Sequence, residues 1–373
     1  MRWQLLSEVA REVGRINVDL FIITHILPDR PQLLEALELV GTVSRVIAIP
    51  YSVDPETLRL MRGRYDILTP SLEELQSAQY IGDALVGARS DKPLVALEIG
   101  GYLAKTLPKV MDAMGESFLG VIEDTEAGHR LYANASPLPC PVVSIARSRI
   151  KESEDALVGL SCVFTTDRLL RGLDLLLESR IAPVIGYGRV GRGTALALRN
   201  RHCQTFVFDS NPVQQVLAMA DGFGVPERRS SLGAADVVFG ATGNRSLAGE
   251  DFSILKDGCI LVSCSSRDLE FDLEVLNDRY EVQALTDEIA LYTQPNRTLI
   301  LLGGGRPVNF LDAAVIGPVL ALPQAGLITA IGELWTSRHV KGLRGLSADA
   351  QERLAAHWLA VFRHPMTGLY RTS

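Results

Sequence analysis

The chain has 373 residues, 47% hydrophobic and 22% charged, with unremarkable Gly and Pro usage; this suits two or three domains with real cores and excludes disordered, collagenous and low-complexity classes. With 37 Lys+Arg against 44 Asp+Glu the net charge is −7, the wrong sign for a protein that neutralises phosphates along a nucleic acid. Five cysteines, an odd number with no C-x-x-C pair, argue against a disulfide framework and a structural zinc site, and point to a reducing, cytoplasmic setting.

The charged N-terminus offers no apolar core or cleavage site for export. DLFIITHI (19–26) reads as a buried strand, and DRPQLLEALELVG (29–41) has the i, i+3, i+4 spacing of an amphipathic helix. Strands follow at 44–51, 92–101, 116–124 and 138–147, separated by helical stretches at 55–64 and 72–88. Residues 152–180 form a long helical pattern that could bridge two domains. A second alternating series has strands at 181–188, 204–209, 235–243, 258–265 and 298–305. Alternation of this kind predicts an α/β protein with mostly parallel sheets. Residues 313–332 carry no charge, but Gly317, Pro318, Pro323, Gln324 and Gly326 favour a buried loop and helix over a membrane span. The organisation expected is a first domain of 1–160 with 315–345, a second of 161–314, and a C-terminal helix and tail over 346–373.

The strongest local signal is VIGYGRVGRG, in which Gly186, Gly188, Gly191 and Gly193 follow a strand and lead into a helix through Arg189 and Val190. Glycines there let bare backbone approach a pyrophosphate at a helix N-terminus. The next strand ends at Asp209, 18 residues beyond Gly191, where a carboxylate accepts from both ribose hydroxyls and disfavours a 2′-phosphate. NAD is therefore the expected cofactor, in a Rossmann-type domain. Thr242, Gly243 and Asn244 form a small-residue turn after another strand and are further candidates for cofactor contact.

Taken with ADVVFGATGN, KDGCILVSCSSRDLEFD and LILLGGGRPVN, these segments resemble the cofactor domain of the S-adenosylhomocysteine hydrolase family. THILPDRPQLLEALELVG, LEIGG, GVIEDTEAGHRLY and CPVVSIARSRIKESEDALVG are similar to that family's substrate-domain signatures, in a flavodoxin- or Rossmann-like α/β domain. The resemblance implies transient oxidation of a nucleoside 3′-hydroxyl by tightly held NAD, which acidifies the 4′ proton and opens chemistry at the 5′ carbon. It also implies a small nucleoside substrate and a homo-oligomer, dimer or tetramer, with no membrane partner and no metal.

By the same resemblance Lys151 and Asp155 bind the sugar hydroxyls, His25 is the substrate-domain histidine, and Thr125 and Asn309 touch the cofactor. Read alone, Lys151 and Asp155 would be an i, i+4 ion pair on a solvated helix face. Several positions depart from the family pattern. Ile99 stands where a carboxylate is expected beside His25, with Glu98 next to it, and Asp124 replaces a Glu near the sugar. Leu27 and Asp29 replace the Thr and the Glu or Gln of the adenine end; Ala156 replaces an Asn and Leu160 a Cys. Two cofactor-domain histidines fall on Ser266 and Gly317, and the tail keeps Tyr370 without a Lys. Catalytic candidates are thus Lys151, Asp155, His25 and Asp124, with Leu27, Asp29 and Ile99 lining the substrate. The retained residues are those that 3′ oxidation requires, so the expectation is an NAD-dependent enzyme performing elimination, hydration, epimerisation or related chemistry around C4′ and C5′, with specialised nucleoside biosynthesis as its setting and ordinary S-adenosylhomocysteine hydrolysis in question. A non-catalytic NAD-binding relative and a plain NAD-dependent sugar or nucleoside dehydrogenase are the alternatives.

Overall fold

The computed structural model describes residues 1–265 and 270–368, without the side chains of 364–368. Ser266 and Tyr370 lie outside the described residues. Contacts divide the chain into two compact units, Met1–Glu152 with Gly317–Ser373, and Ser153–Ile316. The chain passes from the first to the second inside one helix, Arg149–Arg171, whereas the sequence reading placed a boundary at 160. A continuous helix has no turn signal to mark such a crossing.

In the first unit β1 (Asp19–Ile26), β2 (Thr42–Val53), β3 (Ile67–Leu68), β4 (Leu94–Glu98), β5 (Phe118–Glu123) and β6 (Pro141–Ser144) form one parallel sheet in the order β3-β2-β1-β4-β5-β6. This is the doubly wound order whose crossovers put helices on both faces. Every residue of β1 is buried, and alternation decides which layer each side chain joins. Leu20 and Ile22 enter the apolar cluster that includes Leu33 and Ile328, whereas Phe21 and Ile23 enter the one that includes Leu85 and Leu107. The uncharged stretch is a core helix, Ala321–Thr336, packed against Arg2–Val13 and Ala348–Gly368. It is long and apolar enough to cross a membrane, but it lies mostly buried within its own unit. The strand Gly342–Gly345 extends the sheet beside β6, and the helix Ala348–Gly368, expected as a separate C-terminal segment over 346–373, clusters with this unit.

The second unit has β7 (Val184–Ile185), β8 (Val207–Phe208), β9 (Val237–Gly240), β10 (Cys259–Ser263), β11 (Glu281–Thr286), β12 (Ile289–Gln294) and β13 (Arg297–Leu302), the Gly342–Gly345 strand being β14. The order is β11-β12-β13-β10-β9-β7-β8, parallel from β8 to β13. A bridge from Phe206 to Gly224 adds a remnant strand outside β8, which completes the mononucleotide-binding half on that side. The antiparallel β11–β12 hairpin was not anticipated; all six residues of β11 are exposed, so its pattern carries no core signal.

Candidate functional site

The glycine turn sits where a Rossmann sheet binds dinucleotides, at the carboxyl end of β7 and at the head of the helix Arg189–Asn200. Its glycines are there for different reasons. Gly186 has φ +100, and a Cβ on it would lie 2.5 Å from the Ala241 carbonyl oxygen. A Cβ on Gly191 would be 1.9 Å from the Gly186 oxygen, so the turn closes only without side chains. Gly193 lets this helix press against Arg149–Arg171, since its Cβ would be 2.4 Å from the Ala156 oxygen. Gly188 has an ordinary φ of −68° and a Cβ on it would meet nothing within 4 Å. No contact among the described residues requires glycine at 188, so space is open beside the turn.

Asp209 follows β8 and accepts from the Tyr187 N–H at 2.6 Å and the Asn211 N–H at 2.8 Å, which fixes its carboxylate against the turn. Beside it, the Thr242–Gly243 loop is held by a residue the sequence reading missed. Glu270 is buried and accepts from the Thr242 N–H at 2.7 Å and the Gly243 N–H at 2.8 Å, and its other oxygen bonds Thr242 Oγ1 at 2.8 Å. Gly243 needs its φ of +65° to present that N–H. A lone Glu after a polar stretch gave no clue to this role. At the end of β10, Ser263 Oγ and Asn309 Oδ1 are both buried without a partner among the described residues, and Ser263 is bridged to Pro307. Buried polar atoms are rarely left so, and these two are suited to amide or hydroxyl groups of a ligand. Glycine cradle, placed carboxylate and orphaned polar atoms fit a dinucleotide.

In the first unit three candidates gather at the carboxyl ends of β1 and β5. Lys151 Nζ donates to Asp124 Oδ1 at 2.7 Å, with both side chains largely buried. His25 is buried, and its Nδ1 is bonded to Ser52 Oγ. The Ser52 hydroxyl also lies 3.2 Å from the Ile49 carbonyl, which fixes the serine against the ring. Burial, then the charges of Arg30 and Lys151, hold the imidazole pKa well below its usual 6.5, so His25 is a neutral ring. Under this cluster Glu123 receives the N–H groups of Gly100, Gly101 and Thr125, all between 2.6 and 3.1 Å, and thereby shapes the loop after β4. Burial and the neighbouring buried Glu98 push its carboxyl up to about 8, while the Thr125 and Gly100 bonds pull the other way.

Other candidates are engaged differently from expectation. Asp155, four residues past Lys151 on the same helix, pairs with Arg189 at 3.3 Å. Thr125 caps the helix Glu126–Asn134; its hydroxyl donates to Glu123 at 2.7 Å and accepts from the Gly128 N–H at 3.1 Å, so its one hydrogen is spent locally. Ile99 points into the apolar core, and Glu98 beside it is buried and bonded to Tyr132 and the Leu103 N–H. Leu27 is buried, and Asp29 accepts from Gln324 Nε2. Gly317 takes a φ of +76°.

Residues 161–315 match the NAD-binding domain of S-adenosyl-L-homocysteine hydrolase. The adenosylhomocysteinase of Nostoc sp. is 26% identical over 319 residues, covering 83% of this chain and 74% of the relative. That of Corynebacterium diphtheriae is 32% identical over 223 residues, 57% of this chain and 46% of the relative. The chain is thus similar to adenosylhomocysteinases, through the NAD-binding domain above all. Its cofactor is NAD. A phosphoglycerate oxidoreductase from Vibrio cholerae shares the fold, with a TM-score of 0.50 at 12% identity over 86% of this chain and 99% of that one. This adenosylhomocysteinase relative is thus an NAD-dependent, enzyme-like α/β protein.

Proposed function

We propose that this adenosylhomocysteinase relative transiently oxidises the 3′-hydroxyl of a nucleoside-type substrate, so that elimination, hydration, epimerisation or related chemistry can proceed at C4′ and C5′. The observation that carries the reading is the Lys151–Asp124 pair, a buried ammonium held at 2.7 Å by a carboxylate, beside a His25 ring that burial, with Arg30 and Lys151, keeps neutral. NAD, when bound, supplies a reversible hydride acceptor.

The residues then divide the proton work. Lys151 binds the 3′ oxygen through its ammonium and, as the carbon is oxidised, passes one of its protons to the Asp124 carboxylate while taking the hydroxyl proton. The neutral His25 ring, oriented by Ser52, takes the acidified 4′ proton. Asp155, steadied by Arg189, accepts from a second sugar hydroxyl. Without Ile99 as an acid, and with Gly317 in a position that carries histidine in the family, groups able to protonate a thioether leaving group are fewer, which supports a net reaction other than ordinary S-adenosylhomocysteine hydrolysis.

The test uses the purified protein with NAD, adenosine and 3′-deoxyadenosine. Reduced nicotinamide absorbance should rise with adenosine and stay flat with the 3′-deoxy analogue. Absence of reduction by any nucleoside would contradict the proposal and favour an NAD-binding protein without turnover. Stoichiometric accumulation of free NADH would instead mark a plain dehydrogenase.

A further inference from the structure

Arg30 opens the helix Arg30–Val40, and its side chain is 7% exposed. Among the described residues its guanidinium forms no hydrogen bond: Nε is buried without a partner, and the nearest anion, Asp29 Oδ2, is 3.6 Å away. Asp29 is itself turned to Gln324, whose buried Oε1 is likewise unpartnered. A desolvated guanidinium with five donors and no acceptor is unfavourable, and an apolar side chain of similar volume would serve packing better. The first turn of the helix adds to the imbalance, since it contains no acidic residue and no side-chain cap. Arg30 and Lys151 both act on His25, so the three belong to one electrostatic neighbourhood. The set Arg30, Asp29 and Gln324 therefore offers donors for anionic oxygens next to a single acceptor, within the first unit.

We propose that Arg30 is a specificity residue that receives an oxyanion of the substrate, a carboxylate or a phosphate, on its guanidinium edge, with Gln324 Oε1 accepting from an adjacent ligand N–H or O–H. The planar fork of arginine matches both oxyanions bidentately. This rests on the reading that His25 and Lys151 face the substrate, and it narrows the substrate to an anionic sugar or nucleoside derivative.

The test is binding to the full chain saturated with NAD, measured by calorimetry and thermal shift. The probes are adenosine, adenosine 5′-monophosphate and adenosine 5′-carboxylic acid, with inorganic phosphate and acetate as bare anions. At least one anionic class should bind about tenfold or more tightly than its neutral counterpart, or raise Tm where the anion is offered alone. Which class does so tells phosphate from carboxylate. Arg30→Met should erase the preference while leaving Tm unchanged or higher, and Arg30→Lys, which keeps the charge but not the fork, should lose most of it even if the first variant folds poorly. Equal binding of neutral and anionic probes, or a preference that survives Arg30→Met, overturns the proposal. No hydride transfer is read, so a failure here is distinguishable from a failure of the redox reading.

Discussion

Gly188→Ala should leave the protein as stable as before and weaken NAD binding about ten- to a hundredfold. The added methyl meets no protein atom within 4 Å and suits a φ of −68°, so the fold has no reason to object. The backbone of this turn approaches the pyrophosphate, and an overpacked contact costs about 1–3 kcal/mol, which as a binding penalty is that range of affinity. Gly191→Ala is the matched control, because its methyl would lie 1.9 Å from the Gly186 oxygen. That variant should lose both Tm and NAD affinity. Thermal melts and NAD titration of the pair read the two effects separately; unchanged NAD affinity in Gly188→Ala would remove the ligand-based reason for glycine at 188.

Lys151→Met should slow nicotinamide reduction by adenosine about 10²–10⁴-fold, the range for loss of a positioned proton-transfer group. NAD affinity should be nearly unchanged, since the cradle is built from residues 186–191 and Asp209. Removing one partner of a buried pair leaves Asp124 uncompensated at about 3–5 kcal/mol, so the single variant is expected to melt lower. The double variant Lys151→Met with Asp124→Asn should recover stability without recovering rate. Single-turnover absorbance and denaturant curves check this, and a double variant that regained the rate would assign the chemistry elsewhere.

The legible parts of the protein were those written in local pattern. Strand–helix alternation announced both parallel sheets, and the glycine spacing with Asp209 announced the cradle, because close backbone approach leaves a direct trace in residue type. Glu270 and Ser263 were invisible, since their roles depend on burial and on loops distant in sequence. Asp124 was legible only through resemblance, and its pairing with Lys151 across 27 residues required the fold. Thr125 shows the converse: a residue type suited to touching a ligand is equally suited to capping a helix, and here its hydroxyl makes the cap. The edge strands β11 and β14 escaped notice because the first is exposed and the second half-buried, so neither shows apolar alternation.

Deuterium placed at the 3′ carbon of adenosine tests the central claim most directly. After incubation with the NAD-bound protein, mass spectrometry of the released cofactor should find the label on the nicotinamide, with reduction slower than for unlabelled adenosine. Nicotinamide that is reduced without label, or label that stays wholly on the sugar, would contradict oxidation at that carbon.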